Sequence, residues 1–92
     1  MRVVISYDIS NDKRRRKVAT IMEGYGYRVQ FSVFECDLTS QQVKALQKAL
    51  RPCVRKGDGD SIRFYPLPVD AVEKIQVMGN DLARTLGTVA IV

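Results

Sequence analysis

A short stretch near the start of the sequence decides the fold: it reads RVVISYD at residues 2–8, ISND at 9–12 and KRRRK at 13–17. Residues 2–8 are rich in valine and isoleucine, a composition that predicts a buried β-strand. Serine, asparagine and aspartate are the residues that cap a helix start, so a helix is predicted from about Asn11. Asp8 is therefore expected at the carboxyl end of a strand, facing the first turns of a strongly basic helix.

Asp8 admits two interpretations. A carboxylate in this place can bind a hard cation, while the basic turn beside it can bind phosphates. The alternative is that Asp8 only forms an ion pair with an arginine, because structural ion pairs produce the same local pattern. Both interpretations stay open on the residues alone.

The first helix is expected to run from about Asn11 to Gly24, and a glycine is available for a left-handed cap at its end. Its buried face follows the helical spacing of apolar residues, namely Val18, Ile21, Met22 and Tyr25. Extended backwards, this face reaches Arg14 and Arg15, which are therefore expected to point towards the sheet and Asp8. The other cations of the run are expected to turn more towards solvent: Lys13, Arg16 and Lys17.

The cations of this helix favour an anion site. Positive charges in the first turns oppose the helix dipole, at a cost of about 0.3–1 kcal/mol for each exposed charge. This conflict, and the sidedness of the arginines, favour bound phosphates. The alternative is a solvated charged face, which is what most charge runs are.

The middle of the sequence predicts two further strands and a second helix. Residues 27–36 are rich in aromatic and β-branched residues and are long enough for two strands, with a break near residues 30–32. Thr39 and Gln42 have the spacing of a capping box, and the helix that they start is expected to stop or kink at Pro52. Its buried face is predicted to contain Val43, Leu46 and Leu50.

The last part of the sequence completes the predicted order β-α-β-β-α-β. A flexible turn at residues 56–60 leads into a strand at 61–65, which Pro66 and Pro68 are expected to halt. Short strands are expected near residues 75–78 and 88–92. This order is that of an α+β, ferredoxin-like split βαβ fold with extra short C-terminal strands. The expected organisation is a ferredoxin-like domain at residues 1–79 and a C-terminal tail at residues 80–92.

Composition limits the classes of function. The formal net charge of +5 favours an anionic partner, nucleic acid before membrane. No apolar stretch reaches the roughly 18 residues that cross a bilayer, and residues 2–8 predict a strand where a signal peptide would lie. We therefore expect a cytoplasmic protein that does not associate with membranes.

The reactive side chains are also limited. The sequence contains no histidine, which removes the usual general base and the common zinc ligand. Cys36 and Cys53 are too few for a zinc motif and are expected to be reduced and largely buried, with a disulfide between them as the alternative. Any catalysis would therefore use carboxylates, a metal ion, or tyrosine and serine hydroxyls.

The predicted sheet has one face without helices. Its strands contain Val, Ile and Phe at positions of both faces, and a chain of 92 residues is too short to cover both. We therefore expect a homodimer with the two sheets stacked, in which parts of Phe31, Val33 and residues 75–78 become buried.

Four linked segments of the sequence resemble a known family. They are Tyr7-Asp8-Ile9, Arg15-Arg16-Lys17-Val18, RVQFSVFE at residues 28–35 and DSIRFYPL at 60–67. In order and spacing, from residue 1 to about Gly79, they are similar to the small CRISPR-associated adaptation protein. That family consists of compact ferredoxin-like subunits that accompany the CRISPR integrase in spacer acquisition, and it is described as a metal-dependent endoribonuclease.

The resemblance implies roles for individual residues. It implies a homodimer in which Asp8 of both chains holds one divalent metal, Mg²⁺ or Mn²⁺, with Tyr7 beside it in the catalytic site. Family residues of nuclease function fall on Arg15, Lys17, Arg28 and Phe34. With the other cations of the helix, the expected nucleic-acid-binding set is Arg14, Arg15, Arg16, Lys17, Arg28 and Phe34. Lys17 replaces an arginine seen in some members, so it keeps the charge but loses the bidentate fork.

Several functions stay open at this point. The first is a metal-dependent endonuclease that cleaves phosphodiester bonds in RNA or DNA. The second is a non-catalytic dimeric DNA-binding adaptor that holds CRISPR integrase subunits, and the third is a toxin-type messenger ribonuclease of the same fold. An RNA recognition module is disfavoured, because the stacking signature of that fold is absent.

Overall fold

The computed structural model describes residues 1–81 and the backbone of residues 90–91. Its strands are β1 (Arg2–Asp8), β2 (Tyr27–Gln30), β3 (Val33–Asp37), β4 (Ser61–Leu67), β5 (Gln76–Val77) and β6 (Ala90–Ile91). Its α-helices are α1 (Asp12–Glu23), α2 (Ser40–Leu50) and α3 (Val69–Val72), and two 3₁₀ turns lie at Arg51–Cys53 and Lys56–Asp58. The predicted order β-α-β-β-α-β is confirmed.

The main sheet has the strand order β2-β3-β1-β4, and all its pairs are antiparallel. β1 lies in the middle, with Ile5 opposite Phe34 on one side and Phe64 on the other. This is the topology of a ferredoxin-like fold, as the sequence predicts. Beside it, β5 and β6 form a small parallel pair, so the expected terminal strand is present at Ala90–Ile91.

Side-chain caps determine where both long helices begin. The Asn11 side chain caps α1 by accepting a hydrogen bond from the Arg14 amide at 2.9 Å. Thr39 and Gln42 form the predicted capping box of α2. Both helices begin where side-chain oxygens replace the missing backbone partners of the first turn.

One face of the main sheet and the two long helices enclose the hydrophobic core. Alternate residues of β1, namely Val3, Ile5 and Tyr7, are buried there with Phe34 and Cys36 of β3. The helices contribute Val18 and Met22 from α1, and Leu46 and Leu50 from α2. The predicted buried faces of both helices are thus confirmed, with Ile21, Tyr25 and Val43 partly buried against this core.

The other face of the sheet, here called the open face, is more polar than expected. Because strand residues alternate, Val4 and Ser6 lie on it, and their partners in β4 are Tyr65 and Arg63. At one end of this face Arg2 forms ion pairs with Glu35 at 3.1 Å and Asp37 at 2.9 Å. The expectation that Val, Ile and Phe occupy both faces holds for valine, since Val4 and Val33 lie on the open face. It is wrong for the isoleucines and phenylalanines of these strands, which lie on the helix side.

Two expectations about turns and strand ends are wrong. Gly24 ends α1 with φ −77°, so no left-handed cap forms there. Gly26 is required for a different reason, because a Cβ at this position would collide with the Cys36 Sγ and the Glu35 carbonyl oxygen. Pro66 does not halt β4, which continues to Leu67; β4 is an edge strand, where a missing amide is tolerated.

Both cysteines are free and buried, as expected. Burial, with smaller contributions from the charges of Asp37 and Glu35, raises the pKa of the Cys36 thiol to about 11. Within residues 1–81 and 90–91, no helix combines the length and the apolarity that crossing a membrane requires. Most of the expected tail, residues 82–89 and 92, lies outside the described residues.

Candidate metal and nucleic-acid site

Asp8 is the last residue of β1 and is exposed. It lies opposite Ser61 of β4 and, by the alternation of the strand, on the open face. No residue among those described forms a hydrogen bond or an ion pair with its carboxylate. The interpretation of Asp8 as the partner of an arginine is therefore wrong within this part of the chain.

Arg14 and Arg15 are half-buried, whereas Lys13, Arg16 and Lys17 are exposed, so the predicted sidedness of the basic helix is confirmed. The predicted direction towards Asp8 is wrong. Arg14 pairs with Asp60 and with Asp58, the latter at 3.0 Å, and also donates to the Cys53 carbonyl at 3.0 Å. Arg15 donates to the Ile9 carbonyl at 3.0 Å and pairs with Asp12.

Asp60 accounts for the position of Arg14. Its fully buried carboxylate accepts hydrogen bonds from the Ser10 amide at 3.0 Å, the Ser10 hydroxyl at 3.1 Å and the Arg55 amide at 3.0 Å. The Ser10 amide above all, with the Arg55 amide and the Arg14 guanidinium, holds the pKa of Asp60 well below its usual range, although burial acts in the opposite direction. Asp60 thereby fixes the loop that follows Asp8.

The sequence around Asp60 predicts only a flexible turn, so this role is not apparent from the sequence. The local signal is weak, because an aspartate after glycine is ordinary turn chemistry. Its partner Arg14 lies 46 residues away, so no local spacing relates the two.

Tyr7 lies next to Asp8 in the sequence but on the opposite, helix-facing side of the sheet, where it is buried. Its hydroxyl accepts a hydrogen bond from the Arg28 Nη2 at 3.4 Å. The Arg28 guanidinium also lies over the Phe34 ring, 5.4 Å from its centroid. Tyr7 and Phe34 are neighbours in turn, with ring centroids 6.3 Å apart. These contacts hold the Arg28 guanidinium at the surface of the core.

A small cavity of about 140 Å³ opens beside these residues. We call it the arginine pocket; its lining is Tyr7, Arg15, Arg16, Ala19, Arg28 and Phe31. It lies between α1 and the β2–β3 hairpin, on the helix side of the sheet. Since the Arg15 guanidinium is engaged with Asp12 and the Ile9 carbonyl, Arg16 and Arg28 are the lining cations that can bind an anion such as phosphate.

The structure brings together some of the predicted nucleic-acid residues and separates others. Arg15, Arg16 and Arg28 line the arginine pocket, while Lys17 does not, and Arg14 is engaged with Asp60. Phe34 is fully buried, so a direct contact with nucleic acid is incompatible with its position, and it can act only by supporting Arg28. Phe31 lines the arginine pocket in the single chain, and its burial in a dimer interface stays a prediction.

The described residues offer few ligands for the expected metal ion. The described residues contain no group of three or more His, Cys, Asp or Glu side chains that could hold a metal ion. One exposed carboxylate at Asp8 is at the lower limit for Mg²⁺, which is usually bound through one or two carboxylates together with waters and substrate oxygens. Two Asp8 carboxylates from two chains would supply a suitable set of oxygen ligands.

The protein is a small α+β protein with an antiparallel ferredoxin-like sheet and an exposed carboxylate at the end of the first strand. Comparison with known proteins identifies its family. The family model described as CRISPR associated protein Cas2 matches residues 1–75. A curated relative from Synechocystis sp., named CRISPR-associated endoribonuclease Cas2 3, is 44% identical over 89 residues, covering 96% of each chain. The chain belongs to the Cas2 family.

Solved structures agree with this assignment. The crystal structure of Streptococcus pyogenes Cas2 at pH 6.5 is similar with a TM-score of 0.74 and 34% identity, covering 86% of this chain and 100% of that one. A chain of a structure titled partial Cas6-RT-Cas1–Cas2 complex is similar with a TM-score of 0.68 and 32% identity, covering 79% of this chain and 84% of that one.

Proposed function

We propose that the protein is a CRISPR-associated endonuclease of spacer acquisition that cleaves phosphodiester bonds in RNA, with DNA as the alternative substrate. The observation that carries the proposal is the exposed Asp8 carboxylate at the end of β1, which has no hydrogen bond or ion pair with the described residues. The arginine pocket lies on the other face of the sheet and is lined by the neighbouring Tyr7. The name of the Synechocystis relative, an endoribonuclease, supports the same activity.

The active form would be a homodimer. Asp8 of each chain would approach a two-fold axis, so that one sequence position supplies two carboxylates. These two residues would hold one Mg²⁺ or Mn²⁺. When bound, the ion would lower the pKa of a coordinated water and neutralise the charge that develops on the phosphate.

The remaining residues would bind and orient the substrate. Arg16 and Arg28 would hold phosphates through bidentate hydrogen bonds, and Arg15 and Lys17 would add charge beside them. Tyr7 would act by fixing the Arg28 guanidinium through its hydroxyl, since its side chain faces away from Asp8.

A second candidate is a non-catalytic dimeric adaptor that binds DNA and holds CRISPR integrase subunits. The similarity to a chain of a Cas1–Cas2 structure supports an integrase subunit as a partner. The adaptor would use the same basic surface but would not need Asp8 as a metal ligand.

One comparison separates the two candidates. Wild-type protein and Asp8→Asn would be incubated with single-stranded RNA and with duplex DNA, each with Mg²⁺ and with a chelator. Asp70→Asn is the matched control, because Asp70 is an exposed aspartate of α3. The nuclease predicts cleavage that needs Mg²⁺, persists in Asp70→Asn and is lost in Asp8→Asn. Trace cleavage that is equal in all three proteins would point to a contaminant and leave the adaptor.

A further inference from the structure

Phe31 is an aromatic residue in an unusual position. It lies in the two-residue connection between β2 and β3, and 80% of its surface is exposed. An exposed phenylalanine contributes little to folding, because its ring remains in water. The connection itself is anchored, since the Tyr7 amide donates to the Ser32 carbonyl at 3.0 Å. The backbone that carries Phe31 is therefore held next to Tyr7.

The surroundings of Phe31 are cationic. Arg15, Arg16 and Arg28 line the arginine pocket with it, and no carboxylate-bearing residue does. The Arg15 guanidinium already pairs with Asp12, so Arg16 and Arg28 are the cations available to a ligand. Arg28 is oriented by Phe34 and Tyr7. Arg16 is exposed, and no described residue forms an ion pair with its side chain. The pocket thus combines oriented and available cations with an exposed aromatic ring.

We infer that the arginine pocket is a subsite for one unpaired nucleotide of a single strand, with its phosphate on the arginines and its base stacked on Phe31. This inference rests on the proposed function only in requiring that the protein binds nucleic acid. Combining cations for the backbone with an aromatic ring for a base is the general chemistry of single-strand recognition.

The size of the pocket supports an unpaired nucleotide. The cavity, about 140 Å³, is small, so we assign it to the phosphate group alone. The base then lies outside the cavity, against the exposed ring. A base inside a duplex has both faces covered by its neighbours, so only an unpaired base can stack on a side chain.

The inference also predicts how the strand runs. Asp8 is on the open face and the arginine pocket is on the helix side, and both lie where β1 ends. A strand that contacts both must therefore pass around this end of the sheet. An unpaired strand can bend in this way far more easily than a duplex.

The test measures binding in a chelator, so that cleavage does not enter. The probe is a single-stranded RNA with one 2-aminopurine, whose fluorescence falls when it stacks; the protein contains no tryptophan that would interfere. Affinity is measured by titration for the single strand and for the same RNA in a duplex. The proteins are wild type, Phe31→Ala, Arg16→Ala and the control Met78→Ala, which removes another exposed apolar side chain, 86% exposed, outside the pocket.

We expect wild-type protein and Met78→Ala to bind the single strand equally and to quench the probe. Phe31→Ala should bind the single strand about tenfold more weakly, lose the quenching and bind the duplex unchanged. Arg16→Ala should weaken binding to both forms and reduce the salt dependence. Circular dichroism should be the same for all four proteins, because both apolar residues are exposed.

The outcomes distinguish the inference from the proposed function. Salt-dependent binding of RNA with equal affinity and equal quenching in wild type and Phe31→Ala would overturn the stacking subsite alone. An equal loss of single-strand and duplex affinity in Phe31→Ala would overturn it as well. If the wild-type protein bound no RNA, the subsite and the RNA substrate of the proposed function would both be wrong.

Discussion

Asp60 connects segments that are far apart in the sequence. Its carboxylate binds Ser10 directly after β1, Arg14 in α1 and Arg55 before β4. These donors favour the ionised carboxylate, so the pKa of Asp60 is lower in the folded protein than in the unfolded chain. A lowered pKa contributes stability that is fully present above the unfolded value of about 3.9 and is lost as the pH falls towards the folded value.

Asp60→Asn should therefore lower the melting temperature at neutral pH. Its melting temperature should also depend less on pH below about 4 than that of the wild type, since the titrating group has been removed. Thermal unfolding followed by circular dichroism across this range measures both effects. Asp70→Asn is the control and should follow the wild type. Equal acid dependence in Asp60→Asn and wild type would assign the acid sensitivity to other carboxylates.

Asp8→Asn should reduce cleavage but not stability, in contrast to Asp60→Asn. Asp8 is exposed and forms no ion pair with the described residues, so its replacement should change the stability by no more than about 0.5 kcal/mol. If Asp8 holds the metal, Mg²⁺-dependent cleavage should be lost. Melting curves and cleavage assays on the same preparation check the two parts. A large fall in melting temperature with intact cleavage would show a structural ion pair and contradict the nuclease proposal.

The helix starts could be predicted from the sequence, because residues close together in the chain determine them. Asn11 and the pair Thr39 and Gln42 mark both helix starts because their side chains bond to backbone groups within the same turn. The partners of Arg14 were not predictable in this way. Helical periodicity gave the side of α1 on which Arg14 lies, but the carboxylate that it meets depends on how a distant turn packs against the helix.

The arginines of α1 should separate into structural and binding residues. Arg14→Ala should lower the melting temperature, because it leaves the buried Asp60 carboxylate without its guanidinium. Arg16→Ala should leave the melting temperature unchanged and reduce the salt dependence of nucleic-acid binding by about one phosphate contact. Titrations at several salt concentrations, with melting curves, check both. Equal effects of the two variants on stability would contradict this division.

Gly26 lies between α1 and β2, where the chain passes close to β3. Gly26→Ala should destabilise the protein by about 1–3 kcal/mol, because the new Cβ would collide with the Cys36 Sγ and the Glu35 carbonyl oxygen. Gly57→Ala is the matched control, since a Cβ there would meet no atom within 4 Å. Denaturant unfolding measures the difference. A similar stability for the two variants would show that β3 moves aside without cost.

At the scale of the whole molecule, the sequence predicted the fold class correctly but not the character of the open face. Strand alternation was visible, yet the bulge between Arg28 and Gln30 changes which residues of the β2–β3 hairpin face the helices. The position of Phe31 depends on that irregularity. Arg2, Glu35 and Asp37 are also close together only because of the strand register.

The open face is the surface through which we expect the homodimer to form. The open face carries Asp8 at one end and Tyr65 beside Val4 nearer its middle, and Tyr65 is 44% exposed. Two copies stacked through this face would bury Tyr65 and place both Asp8 residues on the shared side, which the two-carboxylate metal site requires.

Light scattering at micromolar concentration and moderate salt should therefore give the mass of a dimer. Tyr65→Glu should shift it to the monomer and abolish cleavage, because a buried unpaired carboxylate is costly. Thr20→Glu, at an exposed position of α1, is the control on the helix side and should remain a dimer. A wild-type monomer under these conditions would exclude the stacked dimer and, with it, a metal held by two Asp8 residues.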